Sequence, residues 1–329
     1  VTNLVRMIKA AGGDVAFRTR LVDLTLKDQQ IQSVTVERTD AHGDIKTETI
    51  PATQVILATG HSARDVFELL NHHGVHMERK TFAMGVRIEH LQADIDRTLY
   101  GSEAGNPVLG AAAYKLSVHL PSGRSAFSFC MCPGGLVVAA ASEEGHLVTN
   151  GMSNYRRDAG TANSALLVQV TPADFGGAVL GGIAFQRVLE RSAFSAGGGD
   201  YRAPVQAVGD FLSGRTGTKD FVVVPTYMPG VRPAALGTIL PDACSASLAR
   251  ALRHWEQRVP GFGAADVPLT GVEARSSAPC RILRDTVTMQ SVSTAGLYPI
   301  GEGAGYAGGI MSAALDGMKA ALAFLERIQ

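Results

Sequence analysis

The sequence predicts a mixed α/β protein in two parts: a discontinuous α/β domain built from residues 1–81 and 281–329, and an inserted, mainly antiparallel α+β domain over residues 82–280. Three observations carry this. Val55-Ile-Leu-Ala-Thr-Gly60 is a continuous apolar run ending in glycine, the pattern of a buried parallel strand. A second apolar strand ends at Ile300, and five glycines follow between Gly301 and Gly309 before a helical pattern begins. Between these two strand–turn–helix units, residues 82–170 are rich in short apolar runs cut by turn signals.

Taken in order, Leu4, Val5 and Ile8 followed by Gly12-Gly13 predict a short helix. Alternation over Val15–Leu26, a turn at Lys27–Gln30 and strands over Ile31–Glu37 and Ile45–Ile50 predict a small antiparallel sheet. After Gly60, Ser62-Ala-Arg-Asp65 has the spacing of a capping box, and Val66, Leu69 and Leu70 have that of a buried helix face stopped at Gly74. In the insert, strands are predicted over Ala83–Glu89, Tyr114–Leu120, Ser125–Cys132, Leu136–Ala141, Leu147–Asn150 and Ala165–Val170. Helices follow over Gly181–Phe194, Pro204–Leu212 and Pro241–Pro260, the last with Leu248, Leu252, Trp255 and Val259 on a core stripe. The closing helix runs to Gln329, and Ile310, Ala314, Gly317, Ala321, Phe324 and Ile328 are its predicted buried face.

The glycine turn before that helix is the candidate site. Glycine lets backbone approach a ligand closely, and a helix N-terminus offers free N–H groups and partial positive charge. Together they suit the polar or anionic part of a cofactor. A tight connection without a ligand is the alternative, but packing alone rarely asks for five glycines in nine residues.

Composition narrows the function. The chain of 329 residues is long enough for two domains, and its formal net charge of zero gives no basic surface for nucleic acid or anionic lipid. No run approaches the roughly 20 apolar residues of a membrane span, and the first twelve residues read as a helix rather than a signal peptide. Four cysteines make no disulfide framework in a chain this long, which points to a reducing cytoplasm. Gly-x-Ser-x-Gly, kinase and P-loop signatures are missing, and no Cys/His spacing predicts a metal site.

Gly301-Glu-Gly-Ala-Gly-Tyr-Ala-Gly-Gly-Ile310 resembles the last flavin-binding motif of two-dinucleotide-domain flavoproteins, and more narrowly that of the bacterial "uncharacterised FAD-dependent dehydrogenases". Ala58-Thr59-Gly60 matches the strand end that runs beside the cofactor in that superfamily, and His61–Asp65 resembles the narrower family's continuation. The resemblance extends from about Leu4 to Ile328. It implies an incomplete Rossmann-like FAD-binding domain and an FAD-dependent oxidoreductase acting on a small molecule. It implies cofactor contacts from Val22, Thr59, Gly60, His61, Gly301, Glu302, Gly303, Gly308, Gly309 and Ile310. Glu302 stands where the superfamily's acidic residue, more often Asp, holds the ribityl chain. The helix after Gly309 would stabilise negative charge on the flavin's pyrimidine ring.

The Gly-x-Gly-x-x-Gly fingerprint that opens such a domain is not found in the required place, and Val1 is not a methionine. The expectation is a C-terminal fragment that holds FAD weakly or not at all by itself. A flavin- or nucleotide-binding module without turnover and a flavin-dependent RNA-modifying enzyme are the other two readings, the second disfavoured by the zero net charge.

Further candidates lie in the insert. Arg275, in Glu273-Ala-Arg275, is the first choice for a substrate or flavin contact, with surface pairing to Glu273 as the alternative. Cys130-Met-Cys132 offers two thiols on one strand; packing in a sheet is favoured, but the resembled family carries a similar Ser128–Gly135 stretch, which implies proximity to flavin or substrate. Asn150, Ser153, Asn163, Ser164, Arg87 and His90 have weaker claims.

Overall fold

The computed structural model describes residues 2–328; Val1 and Gln329 lie outside the description, as does the side chain of Ile328, so that residue's place on the predicted helix face is not addressed. The chain divides into two compact units, residues 1–78 with 281–329 and residues 79–280.

In the first unit a helix over Thr2–Ala10 precedes three antiparallel strands, Thr19–Lys27, Gln30–Thr39 and Ile45–Pro51, paired in sequence order. Asp28 and Gln29 take positive φ in the two-residue turn between the first two strands, the geometry a tight hairpin demands. The predicted strand start at Val15 moves to Thr19.

The strand Val55–Leu57 pairs in parallel with Leu297–Pro299, so strands about 240 residues apart in sequence form one ribbon. Its predicted full burial is not met: Leu57 is buried, but Ile56 is half-exposed because the ribbon has only these two strands among the described residues. The helix Arg64–His72 follows, with Val66, Phe67 and Leu70 buried. Its capping box does not form: Ala63 occupies the cap position, and Asp65 instead binds Arg20 at 2.7 Å.

The last helix, Ile310–Ile328, starts where the glycines end. Its packed face is rotated from the predicted one. Asp316 and Ala320 are buried and Ala313, Gly317, Ala323 and Phe324 half-buried, whereas Ile310, Ala314 and Ala321 are exposed. The packed side meets Met289, Tyr298 and Ile300, with Tyr298 and Phe324 edge to face. The other side is apolar as well and open: Ile310, Met311, Leu315, Met318, Leu322 and Leu325 are all exposed.

The second unit is organised on a seven-stranded mixed sheet in the order Val231–Pro233, Ala203–Ala207, Pro268–Glu273, Phe82–Leu91, Thr161–Val170, Ser125–Cys132 and Ser117–His119. Only the first pair is parallel. A separate ribbon joins Gly135–Ala139 to Thr149–Ser153. Alternation in the central strand explains its two faces. Phe82, Met84, Val86 and Ile88 enter the large core, which includes Leu248, Leu252 and Trp255 of the helix Asp242–Arg258. Arg87 and Glu89 point to the opposite face. The helix Gly181–Gly197 ends at Gly198 in a left-handed conformation. The predicted helix over Pro204–Leu212 splits: Ala203–Ala207 is a fully buried strand and only Val208–Ser213 is helical. Tertiary pairing with Pro268–Glu273 overrides the local pattern there.

Candidate functional site

In the first unit the two glycine-bearing loops meet. A Cβ at Gly303 would lie 2.5, 2.8 and 2.9 Å from the oxygen, carbon and nitrogen of Gly60. The Thr59–Gly60 and Gly301–Gly303 segments therefore stack backbone on backbone, which no side chain at 303 permits. Gly60, Gly301 and Gly305 all have positive φ. His61 Nδ1 lies 3.1 Å from Glu302 Oε1 and ties one loop to the other.

A second set of bonds fixes the turn from below. Asp316 on the last helix accepts the Gly301 N–H at 2.7 Å and two bonds from Arg284 at 2.6 and 2.8 Å. Arg284 also donates to the Pro299 carbonyl and lies over the Tyr306 ring, 3.7 Å from its centre. Burial works to raise the Asp316 pKa, but Arg284 and the Gly301 N–H outweigh it and hold the carboxyl below the usual range.

Among the residues singled out in the sequence, the structure brings together Thr59, Gly60, His61, Gly301, Glu302 and Gly303. Gly308 and Gly309 lie just before the helix, and their N–H groups are spent on Ser312 Oγ at 3.3 and 3.1 Å. Ile310 opens the helix with its side chain in solvent. Val22 sits at a bulge in the first strand, half-buried. Arg284 and Asp316 escaped the sequence reading because they are 32 residues apart and Asp316 interrupts an apolar helix.

For a flavin, the fit rests on these loops. Close main chain free of side chains at Gly60 and Gly303, with a helix N-terminus next in sequence, suits a flat ring with polar edges.

The second unit holds a buried polar cluster. Arg87 is fully buried and donates twice to Glu273, at 2.6 and 2.9 Å, once to Asn163, once to Asn150 and once to the Cys130 carbonyl. Burial alone would lower the Arg87 pKa, and Glu273 raises it well beyond that loss. Gly151 is small for the same cluster, since a Cβ there would run into Asn163 Oδ1 and Arg87 Nη1. Glu89 is also fully buried; its carboxylate accepts the Thr226 N–H and hydroxyl, and burial pushes its pKa up.

For Arg275, the alternative of surface pairing with Glu273 does not form. Arg275 is buried and grips Glu190 with two bonds at 2.8 and 2.9 Å, with a third bond to Ser142 Oγ. Its charge is satisfied within the fold. His90 faces the core, where its ring packs on Phe262 and bonds the Phe262 carbonyl, and burial lowers its pKa to about 4. Glu143, His146 and Glu190 bring ligand atoms within 4.8 Å of one another. Arg187 and Arg275 hold the two carboxylates in two-pronged pairs, and those two positive charges oppose a cation there.

Cys130 and Cys132 lie at a bulge, where the register against Thr161–Val170 shifts between Asn163 and Ala165 and Cys130 takes φ 46°. Cys130 is exposed and Cys132 buried.

No helix among the described residues is long and apolar enough to cross a membrane. Residues 81–276 match the family described as "FAD-dependent protein, C-terminal domain-like". An uncharacterized protein of Clostridium beijerinckii is 45% identical over 329 residues, covering 99% of this chain and 60% of its own length. The chain thus spans about three fifths of the relative it matches.

Proposed function

The chain belongs to the FAD-dependent protein family marked by that C-terminal domain, and from this premise we propose that it forms part of a flavin-dependent oxidoreductase acting on a small-molecule substrate in the cytoplasm. The observation that carries the reading is the contact of Gly60 with Gly303, which joins two segments about 240 residues apart without an intervening side chain.

In this reading the first unit is part of a Rossmann-like nucleotide-binding domain. Thr59, Gly60, Gly301 and Gly303 line the cofactor with peptide edges. Glu302, oriented by His61, holds the ribityl hydroxyls. The dipole of the helix from Ile310 favours negative charge at the ring's pyrimidine edge. Bound flavin supplies the two-electron chemistry. Arg284 and Asp316 hold the glycine turn in place and contribute no reacting atom. Half-exposed Ile56 and the open side of the last helix are apolar surfaces that the remaining two fifths of a relative-length chain would cover. By itself, the 329-residue chain then retains FAD poorly.

Zero net charge speaks against an RNA substrate. The test is anaerobic reduction of the full-length flavoprotein with NAD(P)H and a panel of small metabolites. Bleaching by at least one donor supports an oxidoreductase. A flavin that no donor reduces leaves the binding-module reading in its place.

A further inference from the structure

Cys130 and Cys132 sit together at the bulge in the strand Ser125–Cys132. In an extended strand, residues two apart have Cα atoms about 6.8 Å apart, at the far limit for a disulfide. Here the strand is not extended at Cys130. Its left-handed φ of 46° and the register shift beside it break the regular rise between the two cysteines.

The two thiols have different environments. Cys132 is buried, and its sulfur lies 3.2 Å from the Cys130 carbonyl oxygen and 4.0 Å from Arg87 Nη1. Cys130 is exposed. The neighbouring Cys132 thiol and the Arg87 guanidinium both favour the Cys130 thiolate, against the opposing effects of partial burial and Glu273, and lower its pKa to about 6. The neighbouring Cys130 and burial push Cys132 upward, and its S–H donates to the Cys130 carbonyl, so it keeps its proton. Asn163, opposite Cys132 in the ladder, accepts from Arg87 and has its buried Nδ2 without a partner. An accessible thiolate beside a buried, protonated thiol is the arrangement of an attacking and a resolving cysteine.

We propose that Cys130 and Cys132 form a dithiol that reduces low-molecular-weight disulfides. The Cys130 thiolate attacks one sulfur of the substrate R–S–S–R. The substrate S–S bond breaks, a Cys130–S–S–R bond forms, and the first R–S⁻ leaves and takes a proton. Cys132 then gives up its proton, and its sulfur attacks the Cys130 sulfur. The bond to the second R–S⁻ breaks as the Cys130–Cys132 disulfide forms. In sum, the substrate gains two electrons and two protons and leaves as two R–SH; the protein supplies both electrons and the Cys132 proton, and water supplies the proton that the Cys130 thiolate lacks. No bound cofactor takes part, so this inference stands independently of the flavin reading and is tested without added FAD.

The experiment treats the reduced 329-residue chain at pH 7 with cystamine, counts released thiol and reads the intact mass. The expected result is two thiols released per chain, a loss of two mass units mapped to the Cys130–Cys132 peptide, and no lasting adduct. Cys132→Ser is expected to release one thiol and keep a stable mixed disulfide on Cys130. Cys130→Ser is expected to react at least 10-fold more slowly, because the remaining cysteines are buried. A wild-type chain that stops at a Cys130 adduct with one thiol released overturns the proposal, as does a Cys130→Ser variant that reacts as fast as wild type. The wild-type stoichiometry decides the question even if a variant fails to fold.

Discussion

Asp316 accepts from both prongs of Arg284 and from the Gly301 N–H, so one carboxylate sets the position of the glycine turn. Asp316→Ala leaves the Arg284 guanidinium without its carboxylate, with only the Pro299 carbonyl and the Tyr306 ring beside it, and the Gly301 N–H without its acceptor. It is expected to cost about 3–5 kcal/mol in chemical denaturation, the range for breaking a buried pair. The pH dependence has a definite sign. The folded carboxyl titrates below its unfolded value of about 3.9, so its stabilisation is complete above that pH and is lost as pH falls through the lower folded value. Acid titration of wild type and Asp316→Asn should converge at low pH and separate above about pH 4. At Cys130 the facing groups are Arg87, Glu273 and the Cys132 thiol, with neutral Asn150 and Asn163 from the adjoining strands. Iodoacetamide alkylation of Cys130 should reach half its maximal rate near pH 6, whereas an ordinary thiol does so near about 8.5. At this scale the sequence shows which residues can do chemistry but not which partners they find. Glu273 stands two positions from Arg275 and pairs instead with Arg87, 186 residues away, and no local pattern reveals that.

The last helix shows what periodicity can and cannot reveal. Its start after the glycines and its length are legible in the sequence. Its packed face is not, because apolar residues lie on both sides and more than one stripe fits the spacing. Substitutions separate the faces. Leu322→Gln, on the open side, should change stability by no more than about 0.5 kcal/mol. Ala320→Leu, on the packed side, should cost about 1–3 kcal/mol by overpacking against Tyr298 and Ile300. Thermal melts of the two variants make the comparison. In the second unit, Arg87 links the central strand to Pro268–Glu273, Thr161–Val170 and the Thr149–Ser153 ribbon. Arg87→Ala alone should cost about 3–5 kcal/mol, whereas Arg87→Met combined with Glu273→Leu should be far milder, because no unpaired charge stays behind.

At the scale of the whole chain, the antiparallel sheet of the first unit and most strands and long helices of the second follow from alternation, turns and spacing. The strands Ala203–Ala207 and Pro268–Glu273 do not, since their partners, rather than their own short sequences, make them strands. Glycine content and resemblance suggest the approach of Thr59-Gly60 to Glu302-Gly303, and the backbone contact supplies the physical reason for glycine at 303. The most direct measurement is the FAD content of the full-length protein, wild type beside Gly303→Ala, with circular dichroism to establish that both are folded. The account predicts close to one FAD per wild-type chain and a clear loss in the folded variant. Equal occupancy in the two, or a folded wild-type protein that stays colourless after incubation with FAD, would contradict it.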